Sequence, residues 1–198
     1  AAAVVFSVER ADEQAVAELR RLAMQMIGNS RPASCAEHHL THLWDMEVIN
    51  DHLDALHGEK VSVATMLVLE EYKRIAAAIT QGRCHAKPYV NEDEKLLEET
   101  FGKKGLLEEI RKENEPEILR EIQPAHLEAC LPQIAEIIDE LPDEQELFHM
   151  LEKVDCARTV YDIGLDEAAI LPSLRLAPYT RKRLSLLRIS KMLEIRGE

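Results

Sequence analysis

The sequence predicts an all-α fold, and three observations carry that prediction. Apolar residues recur at helical spacing through nearly every segment, beginning with Val8, Ala11, Ala15, Val16, Leu19, Leu22, Ala23 and Met26. No G-x-G-x-x-G motif, no phosphate-binding P-loop and no alternating strand pattern occurs along the 198 residues. Aromatic residues make up only 4% of the chain, so the core has to be built from Leu, Ile, Val, Ala and Met. At 46% hydrophobic and 31% charged, the composition is that of a globular domain and not of a disordered chain.

Taken in order, residues 8–27 form the first helix, which Gly28-Asn29 stops, and residues 30–34 are a loop. Ser34 is placed to cap the next helix, residues 35–50, with Glu37 three positions on completing a capping box. Residues 51–56 connect to a helix over 57–81 that ends at Gly82. Its segment from Val61 to Leu69 is apolar on nearly all sides, so this helix should be buried against several neighbours. Amphipathic segments follow over 92–101, over 105–113 with a continuation to 122, over 124–141 and over 143–154. Pro116, Pro124, Pro132 and Pro142 punctuate them, and Pro132, inside a helical pattern, predicts a break or kink. Residues 159–164 and 166–171 read as short helices, and 179–194 as a final amphipathic helix. Val4-Val5-Phe6 is the one candidate strand remnant, and no internal repeat is visible.

The charge narrows the partners. With 37 acidic against 24 basic residues the net charge is −13, which repels nucleic acid and anionic lipid. A basic run from Arg175 through Arg181, Lys182, Arg183, Arg188 and Lys191 to Arg196 is expected on helix surfaces. Cys35, Cys84, Cys130 and Cys156 are far apart and form no CxxC pair. With no signal peptide and no apolar run long enough to span a bilayer, the expected compartment is the reducing cytoplasm, without membrane insertion. The abrupt apolar opening without a Met is expected of a processed or truncated chain.

The chemistry concentrates in one stretch. Five of the eight histidines, His38, His39, His42, His52 and His57, fall within twenty residues. Imidazole is the commonest neutral metal ligand and titrates near neutrality. On a helix His38, His42 and Asp45 share a face while His39 points aside, and His57 opens the next helix, where a short connection can fold it back toward His38. His38 and His57 are therefore candidate co-ligands of a divalent ion. Two histidines are too few, since catalytic zinc usually takes three protein ligands and keeps one open position. Asp45, Asp51, Asp54 and Glu59 are the nearby carboxylates, each as readily a solvated charge. His39 and His52 are expected to be ordinary surface residues.

The order Ser34-Cys35-Ala36-Glu37-His38-His39-Leu40-Thr41-His42, then Leu56-His57-Gly58-Glu59-Lys60-Val61, resembles the C-terminal domain of the iron-containing alcohol dehydrogenase-like superfamily. Within it the resemblance is to sn-glycerol-1-phosphate dehydrogenases of the bacterial type, and Met26 to Pro32 and Tyr179 to Arg183 are similar as well. The resemblance implies that residues 1–198 are the multi-helix, metal- and substrate-binding C-terminal domain of the dehydroquinate synthase and iron-containing alcohol dehydrogenase-like fold. It implies also that the N-terminal α/β NAD(P)-binding domain is not part of this chain. His38 and His57 match the family's metal-binding histidines, and His42 matches the catalytic histidine one turn on that faces the substrate. The third ligand, an Asp in a Gly-Asp segment, has no match before His38, and Cys35 stands where the family usually has Gly. The implied activity is reduction of dihydroxyacetone phosphate to sn-glycerol 1-phosphate, a step of phospholipid biosynthesis. Its implied cofactors are NAD(P)H and a divalent metal, zinc first, with nickel or iron as alternatives. Arg181 or Arg183 is a candidate for the substrate phosphate, and a homodimer is expected. Lacking the Gly-rich loop, this chain alone is not expected to bind nucleotide or to be active. The rivals are glycerol dehydrogenase, a 3-dehydroquinate synthase-like enzyme, and a non-catalytic helical metal-binding module.

Overall fold

A computed structural model describes residues 35–197. The helices are α1 (Ala36–Asp45), α2 (His57–Thr80), α3 (Glu94–Phe101), α4 (Leu107–Glu113), α5 (Pro124–Asp139), α6 (Glu144–Lys153), α7 (Ile170–Leu176) and α8 (Leu186–Ile189). Short 3₁₀ turns link several of them, and two three-residue strands, β1 (Cys84–Ala86) and β2 (Leu193–Ile195), complete the set. The described part is thus mostly helical, as expected of an all-α domain, with one small sheet added. The first predicted helix, Gly28-Asn29, Ser34 and the Val4-Val5-Phe6 segment lie outside the described residues.

Helix α2 is the axis of the domain, packing against α1, α5 and α6. Its buried positions include Val63, Ala64, Leu67, Val68, Leu69, Tyr72, Ile75, Ala76 and Ala78, which lie around more than one face, as the Val61 to Leu69 run required. The Glu59 side chain accepts the Leu56 N–H at 2.7 Å and so closes its first turn. Gly82 ends it: φ of +65° there lets the Gly82 and Arg83 N–H groups return to the Ile79 and Ala78 carbonyls, both at 2.9 Å. One core cluster joins Leu40, Leu43 and Trp44 of α1 to Val63, Leu67 and Val68 of α2, to Phe101, and to Leu176 and Leu187 near the C-terminus. A second lies along the end of α2, where Ile75 and Ala78 meet Leu127 and Leu131 of α5, Cys84 and Leu193 of the strands, and Met192 of the turn before β2. The chain's single Trp is central to the first: Trp44 Nε1 donates to Ser173 Oγ at 2.8 Å, and Ser173 donates to the Ala169 carbonyl at 2.6 Å. This chain of bonds ties α1 to α7.

Several predicted boundaries are corrected. Helix α1 stops at Asp45 and not at residue 50, because the Asn50 side chain takes the Trp44 carbonyl at 3.2 Å and Glu47 adopts φ of +52°. The segment 105–122 does not continue as one helix. Asn114 ends α4 by donating to both the Ile110 and Tyr179 carbonyls at 2.7 Å, and a separate 3₁₀ turn, Ile118–Glu121, follows. Pro132 does not break α5, which runs through it. Pro132 and Glu128, whose carbonyl loses its donor, are both exposed, so water can take that carbonyl.

The largest correction is at residues 179–194, which are not one helix. A 3₁₀ turn (Ala177–Tyr179) leads to α8, whose N-cap Ser185 accepts the Arg188 N–H at 3.2 Å. A further turn then feeds β2, which pairs antiparallel with β1 in the register Cys84 to Ile195, His85 to Glu194 and Ala86 to Leu193. Nor is the basic run all surface. Arg188 is 1% exposed, and the Lys191 ammonium meets Asp93, which is 2% exposed. Arg175 also donates to Asp93, at 2.5 and 2.8 Å, and the Tyr179 hydroxyl at 3.1 Å. Buried charges held by specific partners, and not amphipathic periodicity, therefore shape this segment.

Candidate metal and substrate site

The histidine face is built at the start of two helices. At the entry to α1 the N-cap is Cys35 and not Ser34, with no side-chain cap bond, and Glu37 Oε1 accepts the Cys35 N–H at 3.1 Å. The same oxygen lies 3.0 Å from His38 Nδ1. A carboxylate only accepts, so Nδ1 carries the hydrogen and the Nε2 lone pair is left free. Burial pushes the Glu37 carboxyl up, but hydrogen bonds from His38 and from main-chain N–H groups outweigh it and hold the group below its ordinary value. Glu37 is thus an ionised orienting partner for His38, a role that its reading as a cap did not reveal.

His57, the first residue of α2, returns to α1 as the short connection requires. Its ring centroid is 5.9 Å from that of His38 and 6.0 Å from that of His42. Asp45 Oδ2 lies 3.5 Å from His57 Nδ1, and its other oxygen meets the Lys60 ammonium. Asp45 thus lies on the Nδ1 side of His57, but at 3.5 Å and shared with Lys60 it is a looser neighbour than Glu37 is to His38. Glu59 is used in closing α2, while Asp51 and Asp54 are exposed.

The donor set can be tested against a metal. Two imidazoles bound through nitrogen to one ion have ring centroids roughly 5–6 Å apart. The His38–His57 spacing fits, and the Glu37 carboxylate on His38 Nδ1 is the arrangement that orients metal-binding histidines elsewhere. Among the described residues no three His, Cys, Asp or Glu side chains converge as a ready site, so the pair fits as two donors of an incomplete set. His42 has the same spacing to His57 but a different neighbour. Burial and then the Arg181 guanidinium lower its pKa, which keeps the ring neutral at neutral pH.

His39 is not a surface residue. It is 0% exposed, and among the described residues neither ring nitrogen has a hydrogen-bond partner. Burial, and then Arg183, lower its pKa from 6.5 to about 4. The reason lies far along the chain: the Ala177–Tyr179 turn packs on α1, and the Thr180 hydroxyl lies 3.5 Å from the His39 carbonyl. His52 behaves as expected, 80% exposed and 2.8 Å from Glu47. Cys35, at the helix entry, is partly buried, and burial followed by the Glu37 charge pushes its thiol up.

The same packing carries the basic segment to the histidines. Arg181 is exposed, donates to the Thr180 carbonyl at 2.9 Å, and lies near enough to His42 to act on it electrostatically, as Arg183 does on His39. The histidine face therefore combines a carboxylate-backed imidazole, His38, with the His57 and His42 rings and an exposed guanidinium nearby, Arg181. Such a face can hold a metal and a small anion side by side.

No family model matches the chain, and no solved structure matches it. Curated relatives do. Glycerol-1-phosphate dehydrogenase [NAD(P)+] of Geobacillus stearothermophilus is 31% identical over 155 residues, covering 78% of this chain and 31% of the relative. The protein of the same name from Halalkalibacterium halodurans is 31% identical over 169 residues, covering 84% of this chain and 34% of the relative. That of Geobacillus thermodenitrificans is 29% identical over 155 residues, again 78% and 31%. The chain spans about a third of the length of these relatives. The resemblance first drawn from the two histidine motifs is borne out: most of this chain is similar to glycerol-1-phosphate dehydrogenases.

Proposed function

We propose that residues 1–198 form the helical metal- and substrate-binding domain of an NAD(P)-linked glycerol-1-phosphate dehydrogenase. In the complete enzyme it would interconvert dihydroxyacetone phosphate and sn-glycerol 1-phosphate in the cytoplasm, as a homodimer. The observation that carries this reading is the pair His38 and His57, the first held by Glu37 at Nδ1, beside His42 and the basic segment at Arg181. The activity named for the relatives favours it over glycerol dehydrogenase, 3-dehydroquinate synthase-like chemistry or a non-catalytic module.

In this reading His38 and His57 hold a divalent metal, zinc first and nickel or iron as alternatives, with a third donor that the described residues do not supply. When bound, the metal supplies Lewis-acid polarisation of the substrate oxygen, and NAD(P)H supplies the hydride. The chain's own side chains do the rest. Glu37 keeps the His38 imidazole in the tautomer that presents Nε2, and Asp45 lies on the Nδ1 side of His57. His42, neutral because it is desolvated and faces Arg181, hydrogen-bonds the substrate hydroxyl and takes or returns its proton. Arg181 or Arg183 meets the substrate phosphate with a charge-assisted hydrogen bond, Arg181 being the more exposed of the two.

A substrate panel on the enzyme containing this domain tests the reading. Dihydroxyacetone phosphate should be reduced with kcat/KM at least 10²-fold above that for unphosphorylated dihydroxyacetone, at roughly 3 kcal/mol for the phosphate contacts. Oxidation of glycerol at a matching rate, with no phosphate preference, would overturn it in favour of glycerol dehydrogenase.

A further inference from the structure

Arg188 is a charged side chain enclosed by the fold, 1% exposed, with every arm of its guanidinium engaged. Nη2 donates to both oxygens of Glu117, at 2.8 and 2.7 Å, and Nε reaches the first of them at 3.3 Å. Nη1 donates to Asn114 Oδ1 at 2.6 Å and to the Pro178 carbonyl at 2.8 Å, with the Arg181 carbonyl at 3.5 Å. Asn114 turns its amide to the Tyr179 carbonyl at 2.7 Å. The carbonyls of Pro178, Tyr179 and Arg181 thus all point at one buried pair of side chains. The Arg181 side chain is left outside, on the residue after Thr180, whose hydroxyl lies 3.5 Å from the His39 carbonyl of α1.

We propose that Arg188, held by Glu117 and Asn114, is a positioning residue that fixes the 178–181 turn so that Arg181 stands ready on the histidine face to bind a phosphomonoester. The inference rests on the reading of Arg181 as a phosphate contact. A buried charge is costly unless paired; Glu117 pairs this one, and Arg188 Nη1 and the Asn114 amide reach main-chain carbonyls of a single turn, which is what fixing a backbone requires. A turn fixed before the ligand arrives loses less conformational freedom on binding, so the contact made by Arg181 is realised more fully as affinity. A lysine at 188 keeps the charge, but its three donors radiate from one atom and cannot reach Glu117, Asn114 and Pro178 in the planar geometry of a guanidinium.

The test is titration of the metal-free chain with inorganic phosphate, followed by heteronuclear NMR. Arg181→Ala should weaken phosphate binding about tenfold. Arg188→Lys should weaken it by a comparable factor, and the double variant should bind no more weakly than Arg181→Ala alone, because Arg188 acts only through Arg181. A residue needed only for stability would lower the melting temperature without this non-additivity. The proposal is overturned if folded Arg188→Lys binds phosphate like the parent, or if the two factors multiply in the double variant. Glu117→Gln takes the place of Arg188→Lys if the latter does not fold, and the same results are expected of it. If Arg181→Ala leaves phosphate binding unchanged, the phosphate reading of Arg181 itself is wrong and the positioning role falls with it. That comparison involves no variant at 188, so the two failures are told apart.

Discussion

Replacing His39 with Leu should remove a defined part of the chain's acid sensitivity. His39 is fully buried, neither ring nitrogen is bonded among the described residues, and its pKa is lowered from 6.5 to about 4, by burial first and Arg183 second. At about 1.4 kcal/mol for each tenfold change in proton affinity, the full difference amounts to about 3 kcal/mol. The sign follows from which state takes up the proton. The unfolded chain protonates His39 as the pH falls through about 6.5, while the folded chain does not until about 4. Folded stability from this group is therefore complete above the unfolded value and is lost as the pH falls from about 6.5 to about 4. Between pH 7.5 and pH 5 the loss works out at about 2 kcal/mol. Urea denaturation followed by the fluorescence of Trp44, the only Trp, measures it at both pH values. His39→Leu should be at least as stable as the parent at pH 7.5, since it removes two unpaired buried polar atoms. It should then lose about 2 kcal/mol less on going to pH 5. Groups common to both proteins cancel in the comparison. Parallel loss of stability in parent and variant would refute the burial argument.

Other perturbations give separate expectations. Glu37→Gln keeps the shape beside His38 but removes the charge that orients its ring, so zinc affinity measured by competition with a chromophoric chelator should fall 10- to 100-fold. Ser173→Ala leaves the buried Trp44 N–H without its acceptor and should cost roughly 1–3 kcal/mol in the same urea experiment, at unchanged metal affinity. His42→Ala in the complete enzyme should lower kcat by roughly 10²–10⁴ while leaving metal content intact, which separates a proton-transfer role from a ligand role.

What could be read from the sequence follows from where the forces are local. Helix α2 was legible because its apolar run is long and Gly82 gives it a sharp end. Helices α5 and α6 were legible because Pro124 and Asp143 mark their starts. The spacing of His38, His42 and His57 was legible because one helix and one short connection place them together. The misreadings arise where distant residues decide. Arg188 and Lys191 looked like the polar face of a helix, but Glu117 and Asp93, from elements far back in the chain, draw them inside. His39 looked like a surface residue because its burial depends on a turn near residue 180 that packs over α1. Glu37 and Asp45 were visible as a cap and a spare carboxylate. Only the placement of Glu37 behind the His38 imidazole shows it as an orienting group, while Asp45 divides between His57 and Lys60.

The central claim is that His38 and His57 are two donors of one metal site. Zinc content of the purified enzyme containing this domain, measured by plasma mass spectrometry beside His38→Ala, His57→Ala and the surface control His52→Ala, tests it most directly. The account predicts that each of the first two variants loses most of its metal while His52→Ala keeps the parent's content. Full metal content in both His38→Ala and His57→Ala would contradict it.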